Sequence, residues 1–245
     1  MAVTTATITR PPQQPTNEVS TETIDAVLQH IARYRLTIFA VLEQLPELGD
    51  FGPRHVRYAL RACERQAYVC SATLHGGAKY WCLDRRGAEH CGLGDGRIGH
   101  FSEPAKLRAA ALLRFCCLSD RPRHLLLPSE IEHSFPSLYR AGMPSGYYFD
   151  PTGPGRIGLA RVDLGRRGRW DRVIQSLRQD ITQHLHRPGF REFIQAGRFE
   201  LTVLTVFRQK AQRLQTALST LPDARRLPMH VVAIPELLPL VASMH

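Results

Sequence analysis

The 245-residue sequence predicts an α+β protein built from two units. Three observations predict it. Apolar residues recur at three- and four-residue spacing in three N-terminal segments, two short strand-like runs flank the tight turn His75-Gly76-Gly77, and the second half alternates short apolar runs with amphipathic ones. With 43% hydrophobic, 22% charged and 8% aromatic residues, the composition excludes a disordered, collagenous or coiled-coil chain. No stretch approaches the roughly 18 apolar residues of a membrane span, and residues 1–15 are rich in Thr and Pro without an apolar signal core. The expectation is a cytoplasmic protein with no membrane association.

Residues 1–19 carry Pro11, Pro12, Pro15, several threonines and two adjacent glutamines, and are expected to form a flexible arm. Ser20, Thr21 or Thr23 caps the first predicted helix, whose stripe is Ile24, Val27, Leu28 and Ile31. A second helix is predicted from Thr37, with Ile38, Val41, Leu42 and Leu45 apolar, ending at Pro46. The third opens at Pro53, a favoured first-turn residue, and runs over 53–66. Val56, Leu60 and Cys63 form its apolar stripe, while Arg54, Arg57, Tyr58, Arg61 and Arg65 share the opposite side, a face that suits a DNA groove. Strands over 67–74 and 78–83 then close a hairpin.

The net charge is +10, so the partner sought first is a polyanion. Its distribution is uneven: residues 51–100 carry eight cations and four acids, and residues 151–215 carry thirteen and five. Only three of the 32 cations are lysines, and Arg is the residue suited to bidentate phosphate and guanine contacts. The six cysteines, Cys63, Cys70, Cys82, Cys91, Cys116 and Cys117, include no CxxC pair, which leaves them as small apolar core residues and not a zinc site. No cofactor motif is present: the glycine-dense run 92–96 lacks the GKS or GKT of a phosphate loop, and residues 94–102 are expected to be a linker.

Three helices and a hairpin compose a winged helix. The segment Tyr80-Trp81-Cys82-Leu83-Asp84-Arg85-Arg86-Gly87 resembles the aromatic-x-Leu-Thr-x-x-Gly close of the wing in many winged helix-turn-helix DNA-binding domains, over residues 20–93. The resemblance implies a recognition helix at 53–66 in the major groove and a wing at 74–79, with His75 and Lys79, touching backbone or minor groove. Asp84 stands where Thr is usual, and caps the next turn equally well.

In the second half a buried helix is predicted over 106–118, then strands over 125–131, 146–149 and 157–164. An amphipathic helix follows over 170–186, a strand over 199–207, a helix over 209–221 and a last strand over 229–234. That order, with a strand-turn-strand around Pro144 and Asp163, resembles the PD-(D/E)XK nuclease fold, an α/β domain with a mixed central sheet that is restriction-endonuclease-like, over about residues 103–235. Joined to a winged helix, it resembles the replication-relaxation proteins of plasmids and integrative elements. The decisive positions depart from the nuclease pattern. Ser145 stands where the Pro-Asp motif needs Asp, and Arg161 stands where the next strand needs a carboxylate. Asp163 remains and Asp150 is a substitute, too few oxygen ligands for a hard dication.

The domain spanning 103–245 is therefore expected to keep the fold without the chemistry. Arg161, Arg166, Arg167, Arg169 and Arg172 line or flank the former cleft, where they would hold DNA backbone or a protein partner. The function expected is that of a non-enzymatic double-stranded DNA-binding protein of a mobile element, acting in replication, transfer or their control. The alternatives are a sequence-specific transcriptional regulator and a metal-dependent nuclease using Asp163 and Asp150. The first helix or the run Pro235-Glu236-Leu237-Leu238-Pro239-Leu240-Val241 would pair two chains or finish the core of one, and the sequence leaves that open.

Overall fold

The computed structural model describes residues 19–45, 48, 52–94, 98, 101–163, 165, 170–222 and 226–242. Apart from Val19, the predicted arm lies outside them. Ser20 opens helix α1 (Thr21–Tyr34): its hydroxyl accepts from the Thr23 amide at 3.2 Å, satisfying one of the donors that a helix start leaves unpaired. Ile24, Val27, Leu28 and Ile31 are buried together, as their spacing predicts.

The helix predicted from Thr37 is shorter than its pattern. Thr37 and Ile38 form strand β1 (Thr37–Ile38), pairing antiparallel with Trp81 and Tyr80, and only α2 (Phe39–Leu42) coils after it. Two β-branched residues beside an open strand edge gain ladder hydrogen bonds there, which outweighs a weak helical preference. The predicted end at Pro46 lies outside the described residues. Helix α3 (Gly52–Arg65), strands β2 (Val69–Thr73) and β3 (Lys79–Leu83), and the short α4 (Arg85–His90) follow. The sheet order is β1-β3-β2, and Asp84 Oδ1 accepts from the Arg85 amide at 2.7 Å to start α4.

The second half runs α5 (Glu103–Cys117), β4 (His124–Leu125), α6 (Pro128–Ser134), β5 (Tyr147–Asp150), β6 (Arg156–Val162), α7 (Trp170–Leu185), α8 (Pro188–Gln195), β7 (Phe199–Thr205), α9 (Arg208–Ser219), β8 (Met229–Ala233) and, after a single 3₁₀ turn, α10 (Leu238–Ala242). Of the strand predicted over 125–131, only the start is extended. Pro128 presets the first turn of α6, and the Glu130 carboxylate accepts from the Leu127 amide at 2.7 Å, so a helix begins where a short apolar run suggested a strand. Helix α8, which the sequence does not predict, carries Pro188 in its first turn and buries Phe190 and Ile194 at four-residue spacing, a stripe of only two residues.

The five strands form one mixed sheet in the order β4-β5-β6-β7-β8. The first two pairings are antiparallel and the last two parallel. β7 lies in the middle of the parallel part and is buried along its whole length, its polar members Glu200, Thr202 and Thr205 included, because a central parallel strand is covered on both faces. Side chains alternate between the two faces with period two. Tyr147, Leu159, Leu201 and Val203 pack against Leu177 and Ile181 of α7, Phe190 of α8 and Leu214 of α9. Tyr148, Ala160 and Leu204 face the opposite way, towards Leu107 and Phe115 of α5.

That second face also binds the two halves together. Tyr34, Leu36, Ile38, Leu74, Tyr80 and Cys82 from the N-terminal half lie in the same apolar cluster as α5, Ile234, Leu237, Leu240 and Val241. The C-terminal run thus finishes a core that both halves share. Within the linker predicted over 94–102, residues 95–97, 99 and 100 lie outside the described residues, and Phe101 is buried in the shared cluster. Among the described residues no helix is long and apolar enough to cross a membrane.

Candidate functional site

Helix α3 separates its faces as its sequence demands. Val56, Ala59, Leu60, Ala62 and Cys63 are buried. Arg54, Arg57, Tyr58, Arg61 and Arg65 are all exposed on the other side, along roughly 16 Å of helix at 1.5 Å per residue. Among the described residues no carboxylate pairs with any of the four arginines. Arg57 lies over the Phe39 ring at 5.3 Å, a contact that orders its guanidinium without neutralising it.

The hairpin residues are less free. Lys79 Nζ donates to Glu64 Oε1 at 3.2 Å and lies 4.9 Å above the Trp81 ring, while Trp81 Nε1 donates to the same carboxylate oxygen at 2.9 Å. Burial alone would raise the Glu64 carboxyl, but these hydrogen bonds hold it below its ordinary value. His75 keeps about half its side chain in solvent, with Nε2 3.9 Å from Glu103 Oε2. The turn between them abuts the C-terminus: a Cβ on Gly76, which has φ near +100°, would stand 2.9 Å from Pro239 Cβ. Arg166, Arg167 and Arg169 lie outside the described residues.

The second basic feature is a cleft of about 540 Å³ between α5, the start of β5, the end of β6 and α7. Its walls include Arg108, Ser145, Arg161, Asp163, Arg172 and Ser176. The antiparallel register of β5 and β6 brings Pro144 and Ser145 opposite the end of β6, as the strand-turn-strand pattern predicts. Arg161 is anchored there by Asp180 of α7, with Nε and Nη2 donating to the two carboxylate oxygens at 2.7 and 2.5 Å. Behind it, Tyr147 Oη donates to His184 Nε2 at 2.7 Å and His184 Nδ1 donates to the Asp180 carbonyl at 2.6 Å. Burial lowers the His184 pKa, which keeps the ring neutral and suited to accept from Tyr147.

Asp163 faces this cleft, but its carboxylate is committed. Lys210 Nζ of α9, itself buried, lies 2.6 Å from Asp163 Oδ2, and the Gly165 amide donates to Oδ1 at 2.9 Å. Asp150 is elsewhere. It pairs with Arg156 at the opposite end of the β5–β6 ladder, about 23 Å from Asp163 at 3.3 Å per residue, and it accepts from the Thr152 amide and lies 3.6 Å from Arg123 Nε. The fold does not bring the two carboxylates together. Among the described residues no group of three or more His, Cys, Asp or Glu side chains is placed to hold a metal ion.

Two residues at this site are not marked by the sequence: Arg108 on the cleft wall and Lys210 beside Asp163. Arg108 belongs to a helix whose buried side is wholly apolar, and beside Lys106 and Arg114 it reads as one solvated cation among three. Lys210 gave no signal, since a lysine in an amphipathic helix reads as solvated, and here it is buried against Asp163. Comparison of the sequence with protein-family models finds no match, and comparison with curated proteins finds none.

Proposed function

We propose that this chain is a double-stranded DNA-binding protein of a plasmid or integrative conjugative element, acting in replication, transfer or their control. The observation that carries the reading is the exposed face of α3, where four arginines and Tyr58 stand over a buried apolar stripe. A helix fixed on one side and cationic on the other offers forked donors to base edges and phosphates. The strand order β1-β3-β2, with α1 packed on both α3 and β3, supports a winged helix-turn-helix with α3 as the recognition helix. The wing contributes little more than the exposed sides of His75 and Lys79, because its tip is against Pro239.

The mixed sheet preceded by α5 supports a restriction-endonuclease-like second half. Its part in the proposal is backbone contact or protein docking. Strand cleavage through Asp163 and Asp150 is disfavoured by the Lys210 pairing and by the distance between the two carboxylates. The mobile-element role rests on the family resemblance of the sequence.

The test is a gel shift and cleavage assay on labelled duplexes from the native locus, with and without magnesium, over a salt series. A discrete, salt-sensitive shift without cleavage is the expected result, and its absence on every duplex would refute the proposal. Magnesium-dependent cleavage would make the protein a nuclease. A sequence-specific transcriptional regulator would use the same α3 face, so the bound site separates the roles: a promoter marks regulation, an origin marks replication or transfer.

A further inference from the structure

We infer that the cleft between α5, β6 and α7 binds a nucleoside phosphate, either a free mononucleotide or the terminal nucleotide of a strand. The inference stands on the cleft alone and does not depend on α3. Charge selects the sign of the ligand. Among the described residues Asp180 pairs with Arg161 and Asp163 with Lys210, which leaves the two cations Arg108 and Arg172 on the cleft wall without an acidic partner. Two is the charge of a phosphate monoester near neutral pH, whose second pKa lies at about 6.

Geometry favours phosphate over a smaller anion. Arg161 spends Nε and Nη2 on Asp180 and keeps Nη1 for a ligand, so its donor is preorganised. Arg108 and Arg172 are exposed, and among the described residues neither has an acidic partner. Ser145 and Ser176 add hydroxyl donors on the same walls. Leu112, Val162, Val173 and Val203 line the cleft beside the arginines, giving an apolar surface on which a sugar or base would lie. A volume of about 540 Å³ leaves room for a nucleoside beyond its phosphate. Asp163 does not oppose the anion, because Lys210 and the Gly165 amide neutralise and orient it from below.

Binding of adenosine monophosphate and of adenosine to the full chain is measured by calorimetry, beside a short single strand with and without a 5′-phosphate. Saturable binding of adenosine monophosphate or of the phosphorylated strand is expected, with the unphosphorylated counterpart at least about tenfold weaker. The double variant Arg108→Gln and Arg172→Gln alters only exposed side chains, keeps the fold, and is expected to lose at least tenfold in affinity. Preference for the mononucleotide assigns a free nucleotide, and preference for the strand assigns a strand end. Equal binding with and without phosphate, no saturable binding of either phosphorylated probe, or an unchanged double variant would overturn the assignment. Retained nucleotide binding with no duplex shift would overturn the α3 reading and uphold this one.

Discussion

Arg33, in the last turn of α1, holds both carboxylate oxygens of Glu130 in α6: Nη1 donates to Oε2 at 2.6 Å and Nη2 to Oε1 at 2.7 Å. The same Nη1 donates to the Leu125 carbonyl of β4 at 2.6 Å. This fork ties the first helix to the first strand and the second helix of the other half. Arg33→Ala leaves a half-buried carboxylate and a carbonyl without their donor, and is expected to lower stability by about 2 kcal/mol, measured by urea unfolding. Arg33→Lys keeps the charge but not the fork, and is expected to recover only part of that loss.

The same neighbourhood makes the protein acid-labile in two steps. Burial, with Arg33 and His124 adding to it, lowers the His30 pKa to about 4, against about 6.5 in the unfolded chain. The unfolded state takes that proton first, so stability falls as pH drops from 6.5 towards 4, and His184 adds to the same slope. Glu130 acts lower down. Burial would raise its carboxyl, but hydrogen bonds from Arg33 and the Leu127 amide hold it at about 2, so its contribution is present above about 4.3 and is lost as pH falls towards 2. Unfolding free energies from pH 7 to pH 3 check the sequence, and His30→Gln is expected to flatten the upper step and leave the lower one.

Gly158 exists for the benefit of Tyr148. The two residues are paired across β5 and β6, and the Tyr148 ring crosses over Gly158 to donate to Glu200 Oε1 of β7 at 2.6 Å. Thr202 Oγ1 lies 2.8 Å from the same hydroxyl. A Cβ on Gly158 would overlap the ring. Gly158→Ala is expected to cost about 3 kcal/mol or more, and Tyr148→Leu in the same chain to restore part of the loss, since it removes the obstruction. Thermal melts of the two single variants and the double variant measure the coupling.

Leu240 lies in the shared cluster with Tyr34, Leu74 and Tyr80 of the N-terminal half. Leu240→Ala is expected to cost about 2–4 kcal/mol and to shift one cooperative transition as a whole. Two separate transitions, with only the later one moving, would show that the halves fold independently.

If α3 reads base edges, Arg57→Ala or Arg61→Ala is expected to reduce discrimination between cognate and random duplex by about 1–3 kcal/mol. Arg167→Ala, by contrast, is expected to weaken all duplexes alike and to reduce the salt dependence. Equal losses on cognate and random DNA for the α3 variants would remove that helix as the reader.

Local signals carried most of the elements. The stripes of α1, α3, α7 and α9 were legible because burial repeats with the helical period, and β7 because Phe199, Leu201, Val203 and Leu204 stand in one short run with the β-branched Thr202 and Thr205. The exposed side of α3 was legible for the same reason, since a helix that buries Val56, Leu60 and Cys63 has no choice about where Arg57 and Arg61 go. Thr37–Ile38 and 128–134 misled because their states depend on partners distant in sequence or on a first-turn cap: β3 makes the one extended, and Pro128 with Glu130 makes the other helical.

The sequence by itself determined the helix faces, the α+β alternation and the two basic zones, because each is set by spacing and composition within one segment. The tertiary structure alone decided that the halves share a core, that the hairpin tip rests on Pro239, that Asp163 is taken by Lys210 while Asp150 stands at the far end of the ladder, and that Arg108 joins Arg161 and Arg172 in one cleft. Each of those facts joins residues from separate elements, and strand register and side-chain packing bring them together where local periodicity has no reach.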